Sequence, residues 1–131
     1  MKIERIKGDF LGSQSLRIKR GAQAKITAET IIVKYIDKST KQYVFYIPAL
    51  DISAYGETAT KAQKMLEFSV EDFFKHLIHL SPKEAETELR NLGWMHDKLK
   101  NKEFSRSYVD VSGELKNFAV GNKVEQGVLT F

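Results

Sequence analysis

Two short runs of apolar, β-branched and aromatic residues stand out early in the chain, Ile31 to Ile36 and Tyr43 to Ile47, separated by the polar turn-former stretch Asp37-Lys38-Ser39-Thr40-Lys41. That pattern predicts a β-hairpin. Its second strand should stop at Pro48, which has no N–H to give a ladder. Ser53-Ala54-Tyr55-Gly56-Glu57-Thr58 reads as a tight loop, with Gly56 free to take a positive φ and Thr58 placed to cap a helix. From Ala59 to about His79, Ala62, Leu66, Val70, Phe73, Leu77 and Leu80 recur at three- and four-residue steps. A long amphipathic helix follows from that spacing. Phe68, Phe74 and Ile78 widen its stripe beyond what one sheet face covers, which predicts that they meet the carboxy-terminal segment or a second copy of the chain. Ser81-Pro82-Lys83-Glu84 combines a cap, a first-position proline and a Glu three residues after the cap, so a second helix starts there and ends at Gly93. Trp94, next in line, reads as a core anchor that folds the tail back, and if exposed would be a partner hot spot. Beyond it, residues 94–104 suggest a further helical turn, and Tyr108 to Val111, Phe118 to Val120 and Gly127 to Leu129 suggest short strands.

One helix stripe cannot be buried by a two-stranded hairpin, so at least one more strand should complete the sheet. The expected class is α+β: a small antiparallel sheet packed on one long helix, with a helical and short-strand carboxy-terminal extension. The organisation reads as a basic segment over 1–23, a β-β-(β)-α unit over 24–80, and an extension over 81–131 on the same core. A length of 131 residues, 42% hydrophobic, suits one core. No apolar run reaches the length that crosses a bilayer, and MKIERIKGDF lacks the unbroken apolar stretch of a signal peptide, so a cytoplasmic protein is expected.

The absence of cysteine removes disulfides, thiolate metal sites and thiol nucleophiles. His76 and His79 lie three apart with Asp72 one turn earlier, and His96 follows, but a zincin needs His residues four apart with Glu beside the first. Histidines near a helix end more often serve its terminal carbonyls. No nucleophile elbow and no Gly-rich phosphate loop occurs. Glu84, Glu86 and Glu88 fit a helix start, where acidic side chains favour the dipole. The expectation is a protein with no metal, no cofactor and no catalytic residues. Net charge is +4 overall, yet residues 1–41 carry 10 Lys/Arg against 4 Asp/Glu. Lys2, Arg5, Lys7, Arg17, Lys19 and Arg20 are therefore candidate nucleic-acid contacts, with a solvated terminus as the alternative.

From Tyr43 to Leu80 the order is a hairpin, then Tyr46-Ile47-Pro48-Ala49-Leu50, then Ala54-Tyr55-Gly56-Glu57-Thr58, then an amphipathic helix through Ala62, Leu66 and Phe73. This resembles the HicB-like domain of bacterial toxin–antitoxin systems, related to a partial RNase H-like fold, in which a strand ends in P-x-L and a G-[DE]-T turn opens the helix. The likeness covers about residues 25–80. Pro48, Leu50, Tyr55, Gly56 and Thr58 carry it, in fold-specifying roles. Lys61 stands where the family usually has an acidic residue, and the last fifty residues read as neither helix-turn-helix nor ribbon-helix-helix. Leu89-Arg90-Asn91-Leu92-Gly93-Trp94 is similar to an L-x-x-L-G-W element of stand-alone members. The resemblance implies a non-catalytic module that masks a small RNA-cleaving HicA-like toxin and assembles as a homodimer or higher even oligomer; the surplus apolar residues Phe68, Phe74 and Ile78, with Trp94, are the candidate contacts. The alternatives are a nucleic-acid-binding protein using the basic first third and a small enzyme on an α+β scaffold.

Overall fold

The computed structural model describes residues 1–5, 13–97, 103–107 and 124–131. Among them the strands are β1 (Lys2–Arg5), β2 (Ser13–Lys19), β3 (Lys25–Ile36), β4 (Tyr43–Ile47) and β5 (Ile52–Gly56), followed by helices α1 (Ala59–His79) and α2 (Pro82–Asn91). Strands β6 (Met95–His96), β7 (Glu103–Ser107) and β8 (Val124–Thr130) complete the order. The fold is α+β, with an open antiparallel sheet of eight strands and two helices among the described residues.

The 12-residue β3 organises the sheet. One of its edges pairs with β2 along Lys25 to Glu29 and then with β4 along Val33 to Ile36, while the other pairs with β8 along Glu29 to Tyr35. β1 lies outside β8, β7 and β6 lie outside β2, and β5 lies outside β4. Where β3 changes partner from β2 to β4, the Ile31 N–H would lack a ladder acceptor, and a buried unpaired donor is costly. Gln14 fills the gap: its side chain is 2% exposed and its Oε1 accepts from Ile31 N at 3.0 Å. Beside it Thr30 is buried, its Oγ1 without a hydrogen-bond partner among the described residues.

The expected hairpin forms, closed by Asp37 and Gln42, with Asp37 Oδ1 accepting from the Ser39 amide at 2.9 Å and hydroxyl at 2.7 Å. The expected loop over 53–58 is corrected. The chain reverses earlier, through Pro48 to Asp51, where Asp51 takes φ 52°, and β5 then pairs with β4 as far as Gly56. Gly56 does not adopt a positive φ; it is needed for space, since a Cβ there would lie 2.6 Å from the Ala62 amide nitrogen at the start of α1. The helical turn expected over 94–104 is also corrected, because Met95 and His96 pair in register with Ser105 and Phe104 as β6 and β7. Of the expected tail strands, Gly127 to Leu129 falls within β8, whereas Tyr108 to Val111 and Phe118 to Val120 lie outside the described residues.

Thr58 caps α1, its side chain accepting from Lys61 N at 3.1 Å, and with Lys at 61 in place of an acceptor side chain the cap is made by Thr58 alone. Ala62, Leu66, Val70, Phe74 and Leu77 face the core. Phe74 is thus no surplus residue: the chain end returns through β8 and sets Phe131 edge-on against it, ring centroids 5.2 Å apart. Ile78 is half-buried against the same core, as is Phe73. Ser81 caps α2 by accepting from Glu84 N at 3.2 Å, and Gly93 leaves it at φ 95°. Trp94, 1% exposed, donates its Nε1–H to the Ala49 carbonyl at 2.9 Å. The exit of α2 is thereby tied to the turn between β4 and β5, and Trp94 is an anchor, not a surface contact.

Candidate functional site

With α1 buried at positions 62, 66, 70, 74 and 77, a residue two past Leu66 points directly to solvent at 100° per residue. Phe68 occupies that position and is 71% exposed, the largest bare aromatic on either helix. Met65, one turn before it on the neighbouring row, is 37% exposed. Lys64 and Asp72, each four residues from Phe68, supply one charge of either sign beside it, and both are exposed. The outer face of α1 therefore presents an apolar centre with a mixed polar rim on a rigid element.

Tyr55, 55% exposed, belongs to the opposite side of the molecule. Its neighbours in sequence and register, Ala54 and Phe45, point into the core beneath α1, so Tyr55 and its partner Val44 face away. Tyr35 shares that outer face through its pairing with Val44. Partial burial, and then the nearby Asp37 carboxylate, raise the pKa of its phenol. β5 pairs with β4 alone among the described residues, leaving an open strand edge beside Tyr55. The other motif residues are structural: Pro48 opens the reversal, Leu50 is buried in the core, and Gly56 and Thr58 join β5 to α1.

Among the described residues the basic candidates are spread over separate strands. Lys2 lies on edge strand β1, Lys7 and the Arg5 side chain lie outside the described residues, and Arg17 and Lys19 point away from the core that takes Leu16 and Ile18. Arg17 stands opposite Glu103 across the β2–β7 pair. Arg20 has a fold role invisible in the sequence: its Nη1 donates to the carbonyls of Ile78 and Leu80, at 3.3 and 3.1 Å, and caps the end of α1. The histidines have partners as well. His76 Nε2 contacts both Glu88 carboxylate oxygens at 2.8 and 3.0 Å, linking α1 to α2, and His79 Nδ1 meets the Lys75 carbonyl at 2.7 Å. Among the described residues no group of three or more His, Asp or Glu is placed to hold a metal ion. No helix there is long and apolar enough to cross a membrane.

Comparison with protein-family models, with curated proteins and with solved structures gave no match.

Proposed function

We propose that this chain is a cytoplasmic, non-catalytic binding module of the HicB-like kind, and that it masks a small HicA-like RNA-cleaving toxin with the outer face of α1. The observation that carries the reading is Phe68, held 71% exposed at the middle of the solvent side of a 21-residue helix. Burying such a side chain contributes roughly 1.5–3 kcal/mol, and interface hot spots are typically aromatic residues surrounded by near-neutral polar contacts. Met65, Lys64 and Asp72 fit that description. The hairpin, the Pro48 reversal and the Thr58-capped helix follow the order on which the resemblance rests. The open edge of β5 offers a two-fold pairing between copies, which makes a homodimer part of the proposal.

The nucleic-acid alternative draws less support, since Arg17 stands opposite Glu103 and β8 and β3 separate Lys2 on β1 from the basic residues of β2. Co-production with a HicA-like toxin encoded in a neighbouring reading frame tests the leading reading. The wild type should restore growth, and Phe68→Glu should not, while melting at the wild-type temperature. Equal rescue by both would assign the contact elsewhere, and no rescue by either would remove the antitoxin reading.

A further inference from the structure

On the core side of the sheet, Ile18 and Arg20 follow Arg17, the residue that stands opposite Glu103 in the β2–β7 register. A cleft of about 490 Å³ opens there, with the first turns of α2 as its other wall. That size falls within the range of small-molecule sites. Its apolar surface comes from Ile18, Phe104 and Pro82, and the His96 ring lies nearly flat on Phe104, centroids 4.8 Å apart at 24°. The wall is therefore flat and aromatic where β6 meets β7.

The charges at this cleft are unequal. Among the described residues Glu86 is the acid that lines it, and it already accepts from Arg90 at 2.7 Å and lies 3.8 Å from His96 Nδ1. Arg20 and Lys83 are the cations that line it among the described residues. A guanidinium has five N–H donors. The bonds of Arg20 to the Ile78 and Leu80 carbonyls use Nη1, which leaves Nε and Nη2 to donate elsewhere. Lys83 sits in the first turn of α2, where the helix dipole adds positive potential. We propose that this cleft binds a small organic anion with a flat apolar body, the ring against Phe104 and Ile18 and the anionic group taken by Arg20 and Lys83. None of its lining residues belongs to α1, so the proposal does not rest on the partner reading above.

The test uses the full chain and 2-naphthoate as probe, followed by amide NMR shifts. Shifts should concentrate at residues 18–20, 83–86, 96 and 104, with a Kd on the order of 1 mM, as expected for a ligand of that size. The uncharged 2-naphthylmethanol should bind about tenfold more weakly. Lys83→Glu should also weaken naphthoate about tenfold, because it replaces an attraction by a repulsion. A glutamate in the first turn of a helix is compatible with the fold. Shifts elsewhere, equal binding of acid and alcohol, or unchanged binding by Lys83→Glu would each overturn the proposal.

Discussion

Trp94 and Gly56 illustrate how differently single residues announce their roles. A tryptophan directly after a helix-ending glycine was legible as an anchor, and its indole N–H indeed reaches the Ala49 carbonyl 45 positions earlier. Trp94→Phe should cost about 1–3 kcal/mol in chemical denaturation, because it leaves that buried carbonyl unpaired; an unchanged midpoint would contradict the bond. Gly56 was legible as necessary but not for the right reason. Nothing local reveals that the amide of Ala62 would come within 2.6 Å of a Cβ. Gln14 and Arg20 were illegible as fold residues, since both satisfy backbone groups distant in sequence. Asp37 behaves in a simpler way. Hydrogen bonds from the Ser39 side chain and backbone hold its carboxyl below its ordinary range. A lowered folded-state pKa means stability that is present above the unfolded value of about 3.9 and lost as pH falls through the folded one. An NMR titration of the Asp37 carboxyl should give a midpoint below that unfolded value, and one at or above it would contradict the turn geometry.

At the scale of elements, α1 and α2 were readable because apolar spacing and capping signals coincide over many residues. The first residues of α1, held by Thr58, and of α2, held by Ser81, needed no tertiary information. Strand β2 was harder. Leu16 and Ile18 alternate with polar residues, but the stretch is short and its Arg and Lys side chains resemble a solvated terminus; only its placement between β3 and β7 buries the two apolar ones. The two faces of α1 can be told apart by substitution. Leu66→Ala and Phe74→Ala should each cost roughly 2–5 kcal/mol, the range for buried large-to-small changes. Phe68→Ala should stay within about 0.5 kcal/mol of wild type, as surface changes do. A large loss for Phe68→Ala, or none for Phe74→Ala, would mean the helix is rotated from the position described. Arg20→Met should lower stability by about 1–3 kcal/mol, consistent with charge-assisted bonds to the last carbonyls of α1.

For the whole molecule, long-range pairing governs what local patterns leave open. The sequence pointed to a hairpin and at least one further strand; the sheet has eight strands among the described residues because both ends of the chain return to β3 and its neighbours. That return is also why Phe74 is covered from within the chain, by Phe131, while Ile78 is half-buried against the same core. The apolar surface left on α1 contracts to Phe68 and Met65, and the open edge nearest the motif is that of β5. If β5 pairs across a two-fold axis, light scattering at micromolar concentration should give about twice the 15.0 kDa chain mass. A mass of one chain would remove the dimer and leave the Phe68 contact standing.

The central claim, that the outer face of α1 binds a protein partner, is tested most directly by calorimetric titration of the wild type and Phe68→Glu with a HicA-like toxin from a neighbouring reading frame. The account predicts a saturable complex for the wild type and an affinity lower by about thirtyfold or more for the variant, the loss typical of a hot-spot residue. Equal affinities for the two proteins, or no heat of binding with the wild type, would contradict it.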